Sequence, residues 1–154
     1  MAKESAGILV FRRTAGELEF LLVHPGGPFW KNKDAGAWTI PKGEIQPGED
    51  PFATARREFK EELGFDLEGD FVPLLPIKQK GGKLVRAWAI ERDFDLNSIK
   101  SNTFTIEWPP RSGRMCEFPE IDRAAFFPWE VAKEKINSAQ MALLEQVRER
   151  SKAA

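Results

Sequence analysis

Three carboxylates decide what chemistry this chain can attempt. Glu58, Glu61 and Glu62 fall within the segment EFKEEL. On an α-helix they are i,i+3 and i,i+4 neighbours and span an arc of about 100°. Like charges at that spacing cost a few tenths of a kcal/mol, and Arg57 offsets part of this if it pairs with Glu61. Two readings compete: a solvated acidic face, and a divalent-cation site in which the cation removes the repulsion. The chain has one His, His24, and one Cys, Cys116. That excludes a Cys/His zinc site, which needs three or four such ligands, and any intrachain disulfide. A Ser-His or Cys-His mechanism would rest on His24 alone, and its place at a strand end before Pro25 suggests a structural role. A catalytic metal here is therefore held mainly by oxygen, which points to Mg²⁺ or Mn²⁺.

The wider pattern decides between the two readings. From Gly43 the sequence runs GEIQPGEDPFATARREFKEELGF. This is Gly43, five residues, Glu49, seven residues, then Arg57-Glu58-Phe59-Lys60-Glu61-Glu62-Leu63-Gly64-Phe65. It resembles the Nudix box, GX5EX7REUXEEXGU with U apolar, at every fixed position. At about 7% for each of seven fixed residues, chance gives such a match on the order of 10⁻⁸ per window. Both U positions are Phe here, where the family more often has aliphatic residues.

The resemblance implies an α/β/α sandwich around a mixed sheet, and a reaction. Nudix enzymes hydrolyse a nucleoside diphosphate linked to a group X by water attack on phosphorus, with one to three Mg²⁺ or Mn²⁺ ions on the helix carboxylates. Carried onto this chain, Glu58 and Glu62 are the principal metal ligands. Glu61 is a further ligand or orients the water, and a backbone carbonyl near Lys42 or Gly43 completes the set. Glu49, Arg57 and Gly64 hold the box together. A further carboxylate from a later loop is expected as a catalytic group. Glu120 in PEIDRAAFF resembles the loop Glu of dinucleoside tetraphosphate hydrolases, with Glu117 and Asp122 as competitors.

The lead-in Trp38-Thr39-Ile40-Pro41-Lys42-Gly43 resembles the WxxPKG of bis(5′-nucleosyl) tetraphosphatase-like members, and Lys42 suits a phosphate oxygen as a point charge. That branch often stacks adenine on a Tyr about sixteen residues after the box. This chain has no Tyr, and the position falls near Lys80-Gly81, so Trp88 or Trp108 is expected as the stacking surface in its place, with Trp38 of the lead-in as a further substrate contact. Two loops, PFWKNKDAG and EWPPRSGR, mix aromatics with Lys31, Lys33, Arg111 and Arg114 and suit a polyphosphate. The leading expectation is hydrolysis of a dinucleoside tetraphosphate or related nucleoside polyphosphate. The alternatives are a MutT-like nucleoside triphosphate pyrophosphohydrolase and a non-catalytic nucleotide-sensing module.

These residues need a scaffold. Pro51 to Leu63 is predicted as a helix, with Asp50 as N-cap, Pro51 at the first helical position and Gly64 past the end. Phe52, Ala55, Phe59 and Leu63 make its apolar stripe, and Phe65 is placed to pack back on Phe59. Residues 7–13 and 18–24 read as a hairpin. Residues 38–40, 71–79, 84–92, 103–108 and 124–127 read as strands, residues 111–121 as a loop, and residues 129–136 and 138–151 as helices. Several strands and about three helices suggest a mixed sheet with helices on both faces. A chain of 154 residues with 42% apolar residues suits a single domain over residues 1–154. With 23 basic against 24 acidic residues, no stable nucleic-acid binding is expected. No apolar run approaches the ~20 residues of a membrane span, and MAKESAG lacks a signal-peptide core. A cytoplasmic protein with a small-molecule nucleotide partner is expected, in an oligomeric state the sequence leaves open.

Overall fold

The computed structural model describes residues 3–153. Its sheet is built on β1 (Glu4–Thr14) and β2 (Glu17–Pro25), an antiparallel hairpin turning at Ala15-Gly16. Both strands carry continuous apolar runs, ILVF and FLLV, because both faces of the sheet are covered. Leu9, Phe20 and Leu22 point to one core, and Ile8, Val10, Leu21 and Val23 to the other. β3 (Lys42–Glu44) pairs antiparallel with β1, joined to Ser5, Ala6 and Gly7.

The box helix, α1 (Pro51–Leu63), covers one face with Ala55, Phe59 and Leu63. Asp50 caps it by accepting from the Ala53 N–H at 3.0 Å. Gly64 ends it in the left-handed region at φ 91°, its N–H donating to Lys60 O. Phe65 then turns back on Phe59 with ring centroids 6.1 Å apart.

The remaining strands close the sheet around this hairpin. β4 (Val72–Pro73) and β5 (Ile77–Lys78) pair antiparallel with β6 (Leu84–Glu91). β6 runs parallel to β1 over Glu4 to Phe11, which makes the sheet mixed. β7 (Thr103–Glu107) and β8 (Met115–Pro119) form a separate two-stranded sheet, and β9 (Ile121–Pro128) returns to pair with β2. α2 (Trp129–Lys135) and α3 (Met141–Ala153) cover the second face with Ala132, Leu143, Leu144 and Val147. This is the α/β/α sandwich that the resemblance implied.

Three expectations change. The loop expected over 111–121 contains β8, whose Cys116 and Phe118 turn inward against β7 while charged and Pro-rich flanks mask the alternation. The strand expected over 38–40 makes only isolated bridges, Thr39 to Val23 and Trp38 to Ile136. The strand expected over 71–79 is broken in two around Pro73 and Pro76, since proline cannot donate to the ladder.

Candidate active site

The site grows from the exposed edge of α1 against β3. Glu62 is 9% exposed, and among the described residues its Oε2 has no hydrogen-bond partner. Burial first, then the charges of Glu58 and Glu120, push its carboxyl well above the usual carboxylate range, against the pull of Lys42. Glu58 is pushed the same way, by burial and then by Glu61. Glu58 also lies against the β3 backbone, where a Cβ added at Gly43 would land on its carboxylate. Only glycine lets chain and carboxylate meet there.

Arg57 holds the box together and masks part of it. Its Nε and Nη2 donate to the two Glu49 oxygens at 2.7 and 3.0 Å, a bidentate pair. Its Nη1 donates to Glu58 at 3.1 Å and Glu61 at 3.0 Å. Glu49 in turn accepts from the Gln46 N–H at 3.1 Å, which fixes the loop entering the helix. Hydrogen bonds from Arg57, and then from Thr54 and Gln46, hold the Glu49 carboxyl down at about 2.

Glu120 reaches this edge through backbone bonds. The Asn102 N–H donates to Glu61 O at 2.8 Å, and the Glu120 N–H donates to Asn102 O at 2.8 Å. The Gly26 N–H then donates to Glu120 O, also at 2.8 Å. Ser101 Oγ accepts from the Ile121 N–H at 3.0 Å. Burial and then the Glu61 charge raise the Glu120 carboxyl. Its competitors stand apart from this edge. Asp122 lies 2.7 Å from Nδ1 of the fully buried His24, whose Nε2 is 2.6 Å from Lys33 O. Glu117 is exposed on β8 opposite Thr105.

Among the described residues, no three acidic, His or Cys side chains already stand at metal-ligand spacing. Arg57 turns Glu58 and Glu61 toward itself, and unneutralised carboxylates repel. The donor set nonetheless fits a hard divalent cation. It is all oxygen, two of its carboxyls are raised by burial, and one buried oxygen lacks a partner.

The other expected contacts divide. Lys42 is partly buried beside Glu62 and Glu58, and burial lowers its ammonium. Trp38 is not the substrate contact expected of it: it is 3% exposed, its Nε1 donates to Asp34 at 2.8 Å, and its ring packs 4.9 Å from Phe127. It anchors the lead-in on the α2 face and cannot stack a substrate. Trp88 packs under α1, 5.2 Å from Phe52. Trp108 and Lys31 come together in a groove of about 540 Å³ between loop 25–33 and the β7–β8 hairpin. Phe29 meets Trp108 edge-on there at 5.3 Å. Lys33 lies over Trp30 instead, and Arg111 and Arg114 sit at the hairpin tip outside the groove lining. Sequence reasoning missed Ser101, which acts through its hydroxyl, and Asn102, which acts through its backbone; neither leaves a motif.

The NUDIX domain family matches residues 1–147. The chain belongs to this family. Nudix relatives include the asymmetrical bis(5′-nucleosyl)-tetraphosphatase of Caenorhabditis elegans, 40% identical over 68 residues, 44% of this chain and 45% of that protein. The Rattus norvegicus protein of the same name is 33% identical over 109 residues, 62% of this chain and 70% of that one. The chain thus spans about half of the nematode protein's length in that match. A crystal structure of a C. elegans Ap4A hydrolase binary complex superposes with a TM-score of 0.68 at 24% identity, covering 99% of this chain and 100% of that one. The Nudix domain of Shewanella oneidensis NrtR, crystallised with ADP ribose, gives 0.66 at 16% identity over 97% and 88% of the two chains. Both show the shared Nudix fold. Nudix proteins typically use divalent metal ions and bind nucleotides.

Proposed function

We propose that this protein hydrolyses a dinucleoside tetraphosphate, or a related nucleoside polyphosphate, by water attack on phosphorus. The carrying observation is the buried, partnerless oxygen of Glu62 among carboxylates that burial has pushed up. The names of the C. elegans and R. norvegicus relatives support the substrate class. Glu58 and Glu62, with the Gly43 carbonyl, would hold one to three Mg²⁺ or Mn²⁺ ions. When bound, the ions supply charge neutralisation at the phosphates and a more acidic water.

This chain's residues do the rest. Lys42 meets a non-bridging phosphate oxygen. Glu120 takes the proton of the attacking water as the new P–O bond forms and the bond to the leaving phosphate breaks. Its raised carboxyl suits a general base, and Glu61 is already engaged by Arg57. Trp108 and Lys31 line the groove proposed for a nucleoside. Lys33, Arg111 and Arg114 have no part in this reading.

Product analysis by chromatography tests it, with Mg²⁺ and diadenosine tetraphosphate, dGTP, 8-oxo-dGTP and ADP-ribose. ATP plus AMP from the tetraphosphate, with Glu62→Gln inactive but folded, is the expected result. Pyrophosphate and a monophosphate from a triphosphate, with the tetraphosphate cut poorly, would replace it with the MutT-like reading. Tight nucleotide binding without any product would replace it with a sensing module.

A further inference from the structure

A second groove opens where Lys42 leaves the carboxylate edge. It has a volume of about 850 Å³ and runs between the turn Lys80–Gly82 and the end of α2. Lys42, Lys80, Lys83 and Lys133 line it, against one carboxylate, Glu134. Among the described residues, Lys42, Lys80 and Lys83 form no ion pair with a carboxylate, while Lys133 has Glu130 at 2.5 Å. Lys83 is close enough that its charge acts on Lys42, opposing the pull of Glu62 and Glu58. Folding therefore gathers four cations from three separate segments, and among the described residues Lys80 and Lys83 have no carboxylate partner. No aromatic ring lines this groove among the described residues. Lys80 stands where the resemblance expects a base-stacking Tyr.

We propose that this groove is a subsite for the phosphate-dense end of the substrate, read by charge and not by a stacked base. The chemical class is an extended phosphate chain: the ammonium groups meet its non-bridging oxygens in succession from Lys42 outward, and the terminal group is not recognised. The assignment rests on the nucleoside-polyphosphate reading above and deepens it. On that reading, the nucleoside next to the scissile phosphate lies on the Trp108 side. The distal end, whether a second nucleoside or bare phosphate, lies among the lysines.

Calorimetric titration with inorganic tripolyphosphate, in EDTA so that no metal takes part, tests the groove without catalysis. The Lys80→Ala/Lys83→Ala double variant is expected to bind at least about tenfold more weakly, the loss of two charge-assisted contacts. Lys60→Ala, on α1 beside Asp66, removes a cation remote from the groove and is expected to bind as wild type does. Both sites are exposed, and thermal melts of each variant establish that it is folded. Equal affinity in the double variant, or an equal loss in Lys60→Ala, would overturn the assignment. So would adenosine monophosphate binding as tightly as tripolyphosphate with the same dependence on Lys80 and Lys83, since that is base recognition. Lysine-dependent tripolyphosphate binding with no hydrolysis of any nucleotide would sink the hydrolase reading and leave the groove standing.

Discussion

Glu62 bears a charge that its surroundings disfavour. Its folded-state carboxyl is raised, so between 4.5 and that higher value the native chain holds a proton that the unfolded chain has released. Stability contributed by this group therefore falls as pH rises from 4.5 through the folded-state value. At neutral pH in EDTA, Glu62→Gln should melt higher than wild type, by about 2–4 °C for each kcal/mol of relief. Mg²⁺ should raise the wild-type melting temperature and leave that of the variant nearly unchanged. Thermal melts with and without the ion measure both. Glu49 has the opposite sign. Its carboxyl is held at about 2 by Arg57, so its contribution is present above 4.5 and lost as pH falls toward 2. Glu49→Gln should unfold at lower urea than wild type at pH 7, with the gap closing as the medium is acidified. The carboxylates of the box were legible in sequence because a helix brings i, i+3 and i+4 together with no help from the rest of the chain. Trp38 was not: whether an indole faces substrate or core depends on Phe127 and Asp34, which other elements supply.

Helix α1 shows how an element's ends matter as much as its face. Its last carbonyls have no intrahelical donors, and the chain supplies them from residues 100–102. The Lys100 N–H donates to Leu63 O at 3.1 Å and the Asn102 N–H to Glu61 O at 2.8 Å. Gly64 makes this possible. Its positive φ turns the chain, and a Cβ there would come within 2.8 Å of Lys100 O. Gly64→Ala should cost about 1–2 kcal/mol from the left-handed backbone alone, read as a lower urea midpoint, with more from displacing Lys100. Asp50, Pro51 and Gly64 announced both ends of this helix in the sequence. β8 gave no such signal, because a five-residue strand with two inward side chains barely exceeds the turn chemistry around it.

At the scale of the molecule, the sheet separates two cores and leaves the carboxylates flanked by two unlike grooves. One has an aromatic wall at Trp108, and the other is lined by lysines. Trp108→Ala should raise KM for a nucleotide about tenfold while kcat changes little, since one stacked base is worth about 1–3 kcal/mol. Steady-state kinetics on diadenosine tetraphosphate check this. Neither groove was legible as a whole in the sequence. Lys31 and Trp108 are 77 positions apart, and Lys42, Lys80 and Lys133 come from β3, a turn and α2. Only the fold makes them neighbours.

The backbone chain from Glu61 through Asn102 and Glu120 to Gly26 has a mechanical consequence. Loop 25–33 cannot swing away without breaking the Gly26 bond to the very residue proposed to take the proton. Loop opening and displacement of the base are then one event. In deuterium the amides of Gly26, Asn102 and Glu120 should exchange at a common rate, and a nucleotide seated in the cleft should slow all three together.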